Sequence, residues 1–239
     1  MLTEIAETVQ IPARFNGPPT SANGGYASGV AASFVDGPAE VTLRLPPPLD
    51  TPLTVSRDGE GATLLDGEDV VATARPVAFA PFEPIIRPTL AEAAAAGRGF
   101  AGRDPALHPL SDCYVCGPLR RDGLHVHCGP LAAEPRIGAG LLGVPEDAPH
   151  DADGTLAEEI VWAALDCPSY APAMWHEPVS LLGRLSVEIL ERPRVGDLLV
   201  TLGWELARDG RKRHTASALL DADGRTIARA RATWVQLRT

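Results

Sequence analysis

Small and apolar residues recur at helical spacing over Tyr26–Val35 (YASGVAASFV), and the chain then changes period. Short runs rich in β-branched and apolar residues follow at 41–45 (VTLRL), 52–56 (PLTVS), 62–65 (ATLL) and 70–79 (VVATARPVAF). The Asp66-Gly67 pair between the last two runs is a hairpin signal. The pattern predicts one helix followed by antiparallel strands.

The same order returns further along. Residues 156–165 (LAEEIVWAAL) place Ile160, Val161, Ala164 and Leu165 at helical spacing, and strand-like runs follow at 184–190, 197–206, 213–220 and 225–235. The closing hairpins match, LLDGEDVVATAR from Leu64 against LLDADGRTIARAR from Leu219. So do the turns ahead of them, PPLDTPLTV from Pro47 and PRVGDLLVT from Pro193. Two unrelated hairpins would seldom share the preceding helix and turn in the same order, so the chain reads as an internal duplication.

Between the copies lies a stretch rich in Pro and Ala, in which PTLAEAAAAG predicts a short helix with Pro88 at its first turn and Gly97 as its stop. The second copy is expected to open on a strand at GLHVHCGPL from Gly123, with RIGAGLLG from Arg136 as the next. The expected segments are a module over 1–80, a linker over 81–112 and a second module over 113–239. A helix with one apolar stripe must bury it in a curved sheet, and neither unit buries enough alone. The class is therefore α+β, with two sheets each wrapped around its own helix and joined edge to edge or helix to helix.

Composition narrows the function classes. The 239 residues carry a net charge of -10, against a nucleic-acid footprint, so an anionic ligand must find local cations. Arg120-Arg121, Arg192 with Arg194, and Arg211-Lys212-Arg213 are the candidates, each more readily read as a solvated turn. No run approaches the ~20 apolar residues of a membrane span. The opening MLTEIAETVQ has acids and no basic stretch, unlike a secretion signal, so a cytoplasmic location is expected.

Cytoplasmic cysteines are not expected to form disulfides. Cys113-x-x-Cys116, followed by His125, His127 and Cys128, raises a zinc reading, with both histidines on one face of the expected strand. That spacing matches no standard zinc pattern, so these are read as buried or turn cysteines, with no metal and no cofactor expected.

Asn23-Gly24-Gly25-Tyr26 before a small-residue helix resembles the Gly-Gly helix start of the acyl-CoA thioesterase II family. Ala163-Ala164-Leu165-Asp166 resembles that family's second central helix, and CYVCGPLRRDGL from Cys113 resembles a segment of many thioesterase-like hot-dog proteins. The resemblance implies a double hot-dog fold and an acyl-CoA or other acyl thioester as ligand. It implies that Asp166 works with a hydroxyl and a Gln to position the attacking water. Ser180 is the nearest hydroxyl. The Gln departs from the pattern: the matching stretch of the last strand offers Ala232 and Thr233, and Gln236 lies further along.

Thioester hydrolysis needs a carboxylate and donors for the developing oxyanion. Gly24-Gly25 at a helix start can let a carbonyl approach free N–H groups, or can be only a tight turn. Asp166 sits at the end of its helix that disfavours an anion, flanked by Leu165 and Cys167-Pro168; it acts in chemistry, caps the turn at Pro168-Ser169, or pairs with a cation. Glu159 is a further candidate carboxylate, although Glu158 and Glu159 both sit where acids favour the helix dipole, and Asp153 or Thr155 can be that helix's cap. Trp175 and His176 lie in a loop that can line an acyl tunnel, act as a lid, or sit at the surface. Two other readings stay open: a hydratase or dehydratase using one of the six histidines, and an acyl-CoA binding protein without turnover. A homodimer of the fused pair is the further assembly left open.

Overall fold

In the computed structural model, residues 7–238 are described. Residues 1–6, part of the stretch read above as carrying no secretion signal, lie outside them. A short strand, β1 (Thr8–Gln10), precedes the first helix, α1 (Gly24–Ala32). The helix begins at Gly24-Gly25, the start expected from sequence, because the Asn23 side chain accepts a hydrogen bond from the Tyr26 N–H and caps it. Strands β2 (Ala39–Leu43), β3 (Pro52–Asp58), β4 (Gly61–Asp66) and β5 (Asp69–Pro76) follow in the expected order.

In the stretch between the copies, α2 (Leu90–Arg98) starts on a capping box in which Thr89 and Glu92 satisfy each other's backbone N–H. Two expectations are corrected here. Pro88 lies before the cap rather than inside the first turn, and Gly97 is a buried helical residue, with Gly99 taking the C-cap. A Cβ at Gly97 would press on the His127 carbonyl oxygen, so close packing explains that glycine.

The second copy departs from expectation at its opening. Residues 123–128 are not a strand: the Leu124 and Val126 N–H groups bond to the carbonyls of Tyr114 and Val115, and His125 takes a left-handed backbone (φ 51°) that breaks the alternation. Regular pairing is confined to β6 (Gly129–Leu131) and β7 (Glu134–Gly143). Helix α3 (Glu158–Asp166) then precedes β8 (Ser180–Ile189), β9 (Leu198–Asp209), β10 (Lys212–Leu220) and β11 (Thr226–Gln236). Neither Asp153 nor Thr155 caps α3; Ala157 stands at its N-cap, while Asp153 accepts from the Thr155 N–H and pairs with Arg194.

The sheets are joined into one. Among the described residues, eleven strands run in the order β1-β3-β4-β5-β2-β8-β11-β10-β9-β7-β6, all neighbours antiparallel. Reading outward from the central β2–β8 pair, each half presents the same succession, its last strand, then the middle and first strands of its hairpins. The central register sets Val41 opposite Leu185 and Ala39 opposite Val187, all four buried. The halves thus meet edge to edge and also helix to helix.

Helices α1 and α3 run antiparallel, and glycines on α1 set their separation. A Cβ on Gly25 would overlap the Asp166 side chain, and one on Gly29 would fall 2.5 Å from the Glu159 Cα. Around this contact lies the main core, including Leu64, Ile160, Leu165 and Leu185; a smaller core forms where Ala93 and Ala96 of α2 cover Ile137, Val200 and Leu202 on the opposite face. Among the described residues, no helix is long and apolar enough to cross a membrane. Substituting Gly29→Val should lower unfolding stability by about 2–3 kcal/mol, since overpacked contacts between rigid backbones relax poorly. Gly143→Ala, facing open space, should be near neutral; equal urea midpoints for the two variants would contradict the close-contact account.

Candidate active site

The antiparallel crossing brings the N-terminus of α1 to the C-terminus of α3. There the Asp166 carboxylate, 2% exposed, accepts the Gly25 N–H at 3.0 Å and the Asn23 Nδ2–H at 2.9 Å, both on Oδ2. The carboxylate is badly placed for the dipole of its own helix and well placed for that of α1. It neither caps the Pro168-Ser169 turn nor joins an ion pair among the described residues; Ser169 Oγ donates instead to the Asp166 backbone carbonyl at 2.6 Å. Its other oxygen, Oδ1, is buried without a hydrogen-bond partner among the described residues. Burial pushes the Asp166 pKa up to about 7, against the lowering influence of Gly25 and Asn23.

Asp166 lies in the wall of a cavity of about 420 Å³. Leu43, Leu182, Tyr170, Trp175 and Trp234 make much of that wall apolar, Gly24 lies at one edge, and the exposed Arg44 and Leu45 at another. The N–H groups of Gly25, Tyr26 and Ala27 are taken by Asp166, the Asn23 side chain and the Asn23 carbonyl respectively. That leaves Gly24 as the first-turn residue on the cavity side.

The residues singled out from sequence divide clearly. Asn23, Gly24, Asp166, Trp175 and Ser180 share the cavity, and Gly25 touches it through the carboxylate it holds. Ser180 is the first residue of β8, and its N–H faces the Tyr170 hydroxyl at 3.4 Å rather than Asp166. Tyr26 is buried beneath, stacked on Phe15 with ring centroids 4.0 Å apart. His176 closes a short 3-10 turn and is not among the cavity residues. Glu159 is placed elsewhere, in a polar cleft with Glu158, Asp36 and Arg192 where the α3 N-terminus meets the α1 C-terminus. The two helices have equal length, so Asp166 corresponds to Ala32 and Gly25 to Glu159. The duplicated site thus keeps its carboxylate and glycine at one end only.

Other residues were not visible as a group in the sequence. Where the last strand was expected to offer a Gln, β11 turns Trp234 into the cavity, its indole N–H donating to Ser169 Oγ at 2.9 Å; Gln236 pairs with Ser180 in the ladder and is not part of the wall. Of the six histidines, His108 lines the cavity, and burial lowers its pKa. Cys113, Cys116 and Cys167 also line it. The Cys113 thiol is held well below its ordinary value by the Cys116 and Cys167 thiols that donate toward it, which push their own values up. Most members of the basic clusters named from sequence are otherwise engaged: Arg120 with Asn16 and Asp122, Arg192 with Asp151, Arg194 with Asp153, Arg211 with the Gln236 carbonyl and Arg213 with Glu177, while Arg121 and Lys212 make no ion pair among the described residues.

No family model matches the chain, and no curated protein matches it. Solved structures match over its full length. The tesB protein of Mycobacterium avium subsp. paratuberculosis superposes with a TM-score of 0.59 at 15% identity, over 100% of this chain and 95% of that one. A candidate thioesterase II of Thermobifida fusca gives 0.61 at 14% identity, over 99% and 94%. A protein of unknown function with a hot-dog fold, from Alicyclobacillus acidocaldarius, gives 0.57 at 12% identity, over 99% and 95%. The fold is the double hot-dog. At these identities the likeness to thioesterase II structures concerns the fold, and chemistry rests on the site itself. The double hot-dog site is held at one point by Asn23, which both caps α1 and donates to Asp166. Asn23→Ala should therefore cost about 1–2 kcal/mol of stability in chemical denaturation, more than a solvent-facing cap; an unchanged midpoint would contradict this dual role.

Proposed function

We propose that the protein hydrolyses an acyl thioester, with acyl-CoA as the substrate class. The observation that carries this reading is the Asp166 carboxylate: one oxygen fixed by Gly25 and Asn23, the other without a partner, in the wall of a largely apolar cavity. The acyl chain occupies the space beside Leu43, Leu182 and Trp234, and the thioester carbonyl oxygen takes the Gly24 N–H at the start of α1. Asp166 accepts a proton from water as the water oxygen attacks the carbonyl carbon. Collapse of the tetrahedral intermediate breaks the C–S bond, and the departing thiolate takes that proton, leaving a carboxylic acid and free thiol. Ser180, in the same wall, is proposed to orient the water. Arg44, exposed beside the cavity, is proposed as a partner for the nucleotide phosphates of CoA.

An acyl-CoA binder without turnover is the second reading, favoured by a last strand that offers Ala232 and Thr233 where the resemblance calls for a Gln and turns Trp234 into the cavity. A thiol-release assay across acyl-CoAs from acetyl to palmitoyl separates the two. Hydrolysis should be measurable and should fall roughly 100- to 10,000-fold in Asp166→Asn, which can keep both bonds to its oxygen and so retain the melting temperature. Ligand-induced stabilisation with no thiol released at any chain length would select the binder. Arg44→Ala should raise KM for acyl-CoA about threefold and leave that for the corresponding N-acetylcysteamine thioester unchanged; an equal effect on both substrates would remove Arg44 from phosphate recognition.

A further inference from the structure

We infer that Cys113, Cys116 and Cys167 form a thiolate site for a zinc ion, or another borderline-soft divalent cation, in the wall of the cavity. Their three Sγ atoms lie within 4.8 Å of one another, with Cys116 and Cys167 3.2 Å apart. A disulfide would bring a pair to about 2.05 Å. Thiolates sharing a tetrahedral zinc at about 2.3 Å each sit about 3.8 Å apart. The 3.2 Å pair is somewhat closer than that spacing and all three sulfurs lie within 4.8 Å of one another, so small side-chain rotations are enough to close the site.

The backbone around the sulfurs fits the same reading. Cys113-x-x-Cys116 has the separation of a zinc-binding turn, and the Gly117 N–H closes it on the Cys113 carbonyl at 2.9 Å. A side chain at position 117 would collide with the Cys113 backbone, so glycine is required for the turn to be this tight. The third sulfur arrives from the end of α3, 51 positions later, on the residue after Asp166. His125 and His127, the partners suggested by sequence spacing, are not part of the group. Cys128 is also apart, with its sulfur 3.0 Å from the Thr201 hydroxyl.

Three protein ligands leave one tetrahedral position. All three cysteines line the cavity, so the fourth ligand is a cavity water; Asp166, like the histidines, is not part of the group. Binding displaces the thiol protons to solvent and ties the segment ahead of β6 to the end of α3, which converts metal affinity into folding stability.

The test reads metal and needs no substrate, so its result is independent of whether the thioester reading survives. Protein purified under reducing conditions should contain zinc, equimolar with the chain by elemental mass spectrometry, and a chelator should lower its melting temperature. Cobalt substitution should give the near-ultraviolet thiolate charge-transfer band and the visible bands of a tetrahedral ion. Cys113→Ser, Cys116→Ser and Cys167→Ser should each lower metal retention by at least about tenfold, while Cys128→Ser retains it. Should a serine variant fail to fold, the cobalt spectrum of the unaltered protein decides. Reduced protein that takes up neither zinc nor cobalt stoichiometrically overturns the inference. So does a Cys116–Cys167 disulfide as the resting form, or a cobalt spectrum without thiolate bands.

Discussion

The structure depends on the antiparallel contact of two buried helices whose backbones approach through Gly25 and Gly29. At that separation the end of one helix faces the beginning of the other. An aspartate at the α3 C-terminus, unfavourable in its own helix, is stabilised by the positive end of α1 and by two donated hydrogen bonds. The same contact that joins the halves therefore makes the carboxylate tolerable in the core. It also leaves one oxygen unpaired beside a cavity, which is where chemistry can use it.

Duplication provides two such helix ends, and the chain has made them unlike. At the Asp166 end, glycine, asparagine and aspartate converge on an apolar space. At the other end the corresponding positions are Glu159 and Ala32, and the cleft is polar. A symmetric ancestor would place equal groups at both. The present sequence concentrates its buried polar atoms at one, since each buried carboxylate carries a desolvation cost that only specific donors offset.

Much of the fold was readable in the residue pattern. Period and turn chemistry located both central helices and the hairpins near Asp66 and Asp221, because those are local properties. The stretch 123–128 has the pattern of a strand and yet is not one. Its alternation is real, but its partners are the irregular residues 114 and 115, and His125 departs from extended geometry. Gly97 has the position of a helix stop in the local sequence, whereas packing against another segment requires it inside the helix. Glu159 carried the right chemistry in the wrong place, since spacing along α3 cannot say which end faces the cavity.

The sequence by itself determined the duplication, the order of helix and strands in each half, and the anomaly of an aspartate at an unfavourable helix end, all of which follow from neighbours within a few positions. Only the tertiary structure decided what answers that anomaly. The Gly25 N–H and the Asn23 amide lie more than a hundred positions before Asp166, and Cys116 meets Cys167 across a gap of 51 positions. Such groups are brought together by the sheet that joins at β2–β8 and by the closeness of α1 to α3. Burial and backbone separation, which set the energy of every charge at the site, are properties of that packing and of no single segment.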